Sequence, residues 1–221
     1  MKDDIEKKLE ETFFEYFFKT INDLPKDKCS LMESEIGIVL DWMNNGFTKK
    51  VEEINNALKK AKLKKDSEYL EYIESTVSDD YYMIETTKNT IYAAIIVIVW
   101  SSCERIFNAI KAKFTKTKGK NDFKIDEYKK FFKKSSIYME KIDGFQSIDL
   151  VRKLNNSYKH NNGILEKSKV EDKSVLNKYN VELDSHGRII YSEIKIEELI
   201  FESSKFLDLF LKEVKKKCSR K

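Results

Sequence analysis

Apolar residues recur at helical spacing along most of the chain, and the pattern is densest between residues 91 and 114. Two stripes follow that spacing there: Ile96, Val99, Cys103, Ile106, Ile110, and Trp100, Phe107, Phe114. The β-branched run from Ile95 to Val99 favours a buried strand when it is taken alone. Because two alanines precede the run, no turn residue flanks it and both stripes continue past it, we interpret the segment as the central helix of a bundle.

The same spacing predicts helices on both sides of this segment. In the N-terminal third they cover about 2–23, 31–44 and 47–64, with stops at Pro25 and at Asn44-Asn45-Gly46. The central helix extends over about 67–117, with a break near Ser78-Asp79-Asp80. The aromatic cluster at 13–18 (FFEYFF) suits a core or a dimer surface.

Further helices are predicted over about 124–142, 146–160 and 196–218. Asp143-Gly144 and Asn161-Asn162-Gly163 are typical of helix ends. The segments KYNVEL and RIIYSEI flank Asp184-Ser185-His186-Gly187, which predicts a β-hairpin. We therefore expect an all-α helical bundle with a long central helix and a small β-hairpin before the C-terminal helix. Residues 1–80 form an N-terminal helical region packed on a helical domain of residues 81–221.

Composition narrows the class of protein. The net charge is +4, hydrophobic residues make up 41% of the chain, and only one proline and six glycines are present. The three cysteines show no metal-ligand spacing, and no cofactor motif occurs, so we expect neither metal nor cofactor. The N-terminus is not a signal peptide, and the run Ile91–Trp100 is far shorter than the roughly 20 residues that span a bilayer. These features favour a cytoplasmic protein without a membrane partner.

One helix carries residues with chemical potential. Arg152, Asn156 and His160 recur every four residues and would lie along one side of the predicted helix 146–160. The chain has only four arginines and two histidines. A guanidinium suits bidentate phosphate contact and an imidazole suits proton transfer. Plainer roles stay open: a salt bridge for Arg152, a helix-end contact with the dipole for His160, and a solvated turn for His186.

The segment DLVRKLNNSYKHNNGIL resembles the signature of HEPN domains, and SSCERIF resembles the preceding helix of that family. The resemblance covers about residues 85–165. It implies a dimerising helical bundle, in many members a metal-independent endoribonuclease of toxin–antitoxin or antiviral systems. On this resemblance His160 is the catalytic histidine and Asn156 the polar residue of the motif. Asn155 occupies the position of the motif arginine, and Glu104 faces the motif helix, where we expect it to contact His160, Arg152 or Lys159.

The arginine position separates the functional hypotheses. Arg152 lies about 12 Å from His160 along the helix axis, so two-fold pairing of motif helices would be one way to bring the two groups together. Lys116, Lys118, Lys120 and Lys159 are candidate RNA contacts, although lysine runs are often only solvated surfaces. We expect an RNA-directed effector, a homodimer with RNA, an antitoxin or another protein as partner. The alternatives are a catalytically inactive HEPN scaffold and a helical interaction protein whose motif match is chance.

Overall fold

A computed structural model describes residues 29–63, 67–115, 124–165 and 173–218. Within these ranges the elements follow one another in this order: α1 (Cys29–Leu63), α2 (Ser67–Thr115), α3 (Ile125–Lys134), α4 (Phe145–His160), α5 (Lys173–Lys178), β1 (Glu182–Leu183), β2 (Ile189–Ile190) and α6 (Ile196–Cys218). Short 3-10 helices cover Met139–Lys141 and Tyr191–Glu193. The fold class predicted from the sequence is confirmed.

The middle of α2 is the centre of the hydrophobic core. Ile95, Ile96, Val99, Cys103 and Phe107 are fully buried, as the two apolar stripes predict. This part of α2 packs against α1, α4, α6 and the 3-10 helix Tyr191–Glu193. A helix that is apolar around so much of its circumference needs neighbours on several sides, which is why the others surround it.

The stretch 67–112 of α2 reaches the length and mean hydropathy of a membrane-spanning helix, judged by composition alone. In this fold 44% of the apolar window is buried against other parts of the protein. The central helix of a bundle meets the same criterion, because the sides that it turns toward neighbouring helices are apolar.

Two predicted helix breaks are wrong. Helix α1 continues through Asn44-Asn45-Gly46, and α2 continues through Ser78-Asp79-Asp80. At the first position the buried Met43 and the half-buried Phe47 keep one apolar side of α1 against the core, and Tyr92 donates a hydrogen bond to the Asn44 side chain at 3.3 Å. Tertiary packing thus outweighs the local preference of Asn and Gly for a turn.

Helix α3 is shorter than predicted. It ends at Lys134, and Ser136 has a left-handed backbone with φ of 56°. The chain turns there so that Ile137 and Met139 become buried, which a straight helix to residue 142 would not allow. The short helix α5 was not predicted, because six residues are too few for a periodic pattern.

The elements that position the motif agree with prediction. Helix α4 ends at His160, and α6 covers 196–218. In the hairpin, β1 and β2 pair antiparallel with Glu182 opposite Ile190, around a turn in which the His186 side chain is 73% exposed. Helix α1 packs on α2 and α6. The division at residue 80 lies inside the continuous helix α2 and stays a prediction, and residues 1–28 with FFEYFF lie outside the described ranges.

Candidate functional site

Helix α4 is held against the core by one apolar side. Ile148, Val151 and Leu154 are fully buried, as predicted. The helix ends where the backbone N–H groups of Asn161 and Gly163 both donate to the Ser157 carbonyl, at 3.1 and 2.8 Å. Gly163 has φ of +80°, which an L side chain rarely adopts, so glycine suits this exit from the helix. The last turn of α4 therefore projects beyond the core.

Three predicted site residues are exposed on this projecting end: Asn156, Lys159 and His160. An exposed imidazole at a helix end is accessible to a bound ligand and can exchange a proton with it. Tyr158, which was predicted to face the core, is instead 41% exposed. Its ring lies edge-on to Tyr191, with 5.8 Å between the ring centroids, because the core layer ends one turn earlier.

Arg152 lies two turns before His160 and is engaged within its own helix. Its Nε and one terminal nitrogen donate to the same Asp149 oxygen at 2.9 and 2.8 Å. Lys153 Nζ contacts the other Asp149 oxygen at 2.6 Å. The plainer reading of Arg152, a salt bridge, is thus what the structure shows in a single chain. Among the described residues of one chain, no hydrogen bond or ion pair joins Arg152 to His160.

Asp149 is the residue that the sequence reasoning missed. Burial pushes the pKa of Asp149 up, but the hydrogen bond from Lys153 and the charge of Arg152 outweigh burial and hold the pKa below its ordinary value. The signal was present in the sequence, since Asp149 precedes these two cations by four and three residues, the spacing at which helical side chains meet.

Glu104 lies half-buried on α2, which packs against α4. Burial raises the pKa of Glu104, while a hydrogen bond from the Trp100 side chain and the positive charge of Lys159 oppose the rise. Of the three expected partners on the motif helix, Lys159 is the one whose charge affects the pKa of Glu104. Glu104 in turn raises the pKa of Tyr128, after the larger effect of burial.

Asn155, at the motif arginine's position, is only 3% exposed. Its amide nitrogen donates to the Asn156 side chain at 3.1 Å, whereas its buried oxygen has no hydrogen-bond partner among the described residues. The two neighbouring asparagines thus have different environments, one in the core and one in solvent. A longer cationic side chain at position 155 would begin inside the core and not on the exposed side of α4.

The remaining predictions concern metal and RNA contacts. Across the four described ranges, no three His, Cys, Asp or Glu side chains come together in an arrangement able to hold a metal ion. Lys116, Lys118 and Lys120 lie outside those ranges, so their role as RNA contacts stays a prediction. Lys159 is the one candidate RNA contact that the structure describes, and it lies at the projecting end of α4.

No family model, no curated protein and no solved structure matches this chain. By the fold of its described residues, the protein is an all-α bundle around a buried central helix. More particularly, a polar and partly cationic helix end projects from that bundle beside the β-hairpin. Among the predicted site residues, those exposed at that helix end are Asn156, Lys159 and His160.

Proposed function

We propose that the protein is a HEPN-like, RNA-directed effector that acts through the projecting end of α4, as a metal-independent endoribonuclease of a toxin or antiviral defence system. The observation that supports this proposal is the shared exposure of Asn156, Lys159 and His160 at one helix end. A cation, an amide and a proton carrier in reach of solvent can meet a phosphodiester without rearrangement of the core.

The proposed reaction needs a base for the ribose 2′-hydroxyl. His160 takes that proton as the 2′-oxygen attacks the adjacent phosphorus, and the bond to the 5′-oxygen breaks. The leaving 5′-oxygen takes a proton from solvent and His160 releases its own proton to solvent, so the products are a 2′,3′-cyclic phosphate and a 5′-hydroxyl. Lys159 offers positive charge to the phosphate. A cationic group that binds the phosphate in the transition state contributes about 3–4 kcal/mol to catalysis. An arginine from a second copy of the chain would supply that group and complete the site.

The test is cleavage of tRNA and total RNA by purified protein in EDTA. We expect cleavage by wild type and its loss in His160→Ala. The matched control is His186→Ala, since His186 is the other histidine, is exposed, and lies in the hairpin turn. Inert wild type, or cleavage that survives His160→Ala, contradicts the ribonuclease. Native mass measurement completes the test, with a dimer of twice the 26.1 kDa chain expected.

A second candidate is a binding module of the same fold that does not cleave RNA. Two observations favour it: Asn155 is buried where the resemblance places an arginine, and the Arg152 guanidinium is engaged by Asp149. This candidate predicts a stable dimer or complex with a partner protein and no cleavage of any RNA. A monomer that retains no partner after purification argues against it.

A further inference from the structure

A second site lies beside the end of α4. An open cleft of about 510 Å³ separates residues 82–90 of α2 from the β-hairpin, and we call it the hairpin cleft. Its walls come from three parts of the chain, residues 82–90, 158–163 and 184–192. The residues that matter for recognition are Tyr82, Glu85, Asn89, Tyr158 and Arg188.

Three tyrosines line the cleft together with polar side chains. Tyr82 is 71% exposed and Tyr158 is 41% exposed, while Ile189 and Tyr191 form a buried floor. The floor is rigid, because the Tyr191 hydroxyl donates to the Leu154 carbonyl at 2.9 Å. Two exposed tyrosines above an apolar floor suit a flat ring that stacks, and nucleic-acid bases are such rings.

Polar groups on the rim select which ring binds. The Glu85 carboxylate is exposed and has no ion pair or hydrogen bond with another described residue. The Asn89 oxygen accepts the Ser192 backbone N–H at 3.2 Å, so its amide nitrogen can donate to a ligand. An unpaired carboxylate accepts hydrogen bonds only, and it therefore favours a base edge with two adjacent N–H donors.

Among the described residues that line the cleft, Arg188 is the one cation. Its Nε donates to Asp184 at 2.9 Å. Asp184 also accepts the backbone N–H groups of His186 and Arg188, so that carboxylate stabilises the turn and pairs the guanidinium. The terminal nitrogens of Arg188 remain to meet a phosphate oxygen. Since Arg188 and Asp184 neutralise each other, Glu85 is the uncompensated charge of the lining.

We propose that the hairpin cleft binds a guanine base of single-stranded RNA, stacked on the tyrosines with its N1–H and N2–H₂ on Glu85. Among the four RNA bases only guanine presents two adjacent donors on its pairing edge, which matches a carboxylate. The proposal rests on the proposed function for the choice of RNA as ligand.

The test measures dissociation constants by titration calorimetry on His160→Ala, which cannot consume the RNA. The ligands are GMP, AMP, CMP, UMP and two hexanucleotides, one with a single G in uridines and one of uridines only. We expect tighter binding of both guanine ligands. Glu85→Gln should reduce that preference about tenfold, and Tyr82→Ala should weaken every ligand by about tenfold.

Two exposed residues of the same helix outside the cleft provide matched controls, and Glu71→Gln and Tyr72→Ala should bind as the parent does. Equal affinity for the four bases, or a guanine preference that survives Glu85→Gln, overturns the proposal. If GMP binds more tightly than the guanine hexanucleotide, the ligand is a free guanine nucleotide and not single-stranded RNA, which overturns the proposal. Guanine binding with no cleavage by wild type refutes the ribonuclease and not the cleft.

Discussion

Glu104 shows how one residue connects the core to the candidate site. Its carboxylate is half-buried and interacts electrostatically with Lys159 on α4 and with Tyr128 on α3. The charge of Lys159 lowers the pKa of Glu104, and the charge of Glu104 raises the pKa of Tyr128. The Tyr128 hydroxyl is fixed by its hydrogen bond to the Asn108 side chain at 2.9 Å. A half-buried acid in such a place is less stable when charged than it would be in water.

The consequence is a pH-dependent stability that Glu104→Gln should remove. The folded pKa of Glu104 is raised above its unfolded value of about 4.3, so the folded state binds this proton more tightly. Wild type should therefore lose stability relative to the variant as the pH rises from about 4 through the folded pKa, and the difference should then stay constant. Denaturant unfolding over this range measures it. Glu74→Gln, an exposed residue of the same helix, should show no such difference.

At the level of the elements, the orientation of α4 depends on how it begins. Gly144 precedes the helix with φ of +83°, and a Cβ placed there would lie 2.6 Å from the Glu202 carbonyl oxygen and 3.0 Å from the Phe206 Cβ. The start of α4 thus lies against the backbone of α6. This close approach sets the direction in which the other end of α4, with His160, projects.

Gly144→Ala should destabilise the fold more than Gly187→Ala. Both glycines have a similar left-handed backbone, but nothing lies within 4 Å of a Cβ at Gly187. The Gly187 variant should lose only the conformational cost of about 1–2 kcal/mol, and the Gly144 variant a further 1–3 kcal/mol or so from steric overlap with backbone. Thermal or denaturant unfolding compares the two. Equal losses would show that α4 and α6 can separate at no cost.

The described residues form a bundle and a thin arm. The arm is residues 47–63 of α1 and 67–90 of α2. The Tyr81 hydroxyl donates a hydrogen bond to the Asn55 side chain, and the Tyr92 hydroxyl donates one to Asn44. The later residue of α2 thus meets the earlier residue of α1, so the two helices run antiparallel. Apolar and aromatic residues of the arm recur three and four residues apart, as in a coiled coil: Phe47, Val51, Ile54, Leu58, Ala61 in α1 and Leu70, Ile73, Val77, Tyr81, Ile84 in α2.

Few of these arm residues are fully covered, with Ile54, Ala61 and Ile84 the buried ones. We therefore expect the arm to open at a lower free energy than the bundle. Hydrogen exchange should show residues 67–80 exchanging well before 95–107, although both belong to α2. Ile54→Ala should speed exchange in the arm and leave 95–107 unchanged. Uniform protection along α2 would mean that the helix opens only with the whole fold.

Local sequence patterns were sufficient to identify the central helix, the motif helix, the hairpin and the C-terminal helix, although not the continuity of the central helix at 78–80. Each depends on a local pattern: stripes at Ile96 and Phe107, a Gly163 stop, a turn around Asp184. The same local reasoning failed at Asn44-Asn45-Gly46, because the packing of Met43 and Phe47 overrides turn preference there. It also failed at Tyr158, whose spacing fits the core but whose turn extends past it.

The sequence by itself determined most of the helical segments and that an imidazole stands at a helix end, since both follow from residues within a few positions of each other. Only the tertiary structure decided that Asn155 is buried and Asn156 exposed, and that three distant segments line the hairpin cleft. The physical reason is that burial and clefts arise from contacts between segments remote in the chain, and a local pattern of apolar and polar residues contains no information on which segments meet.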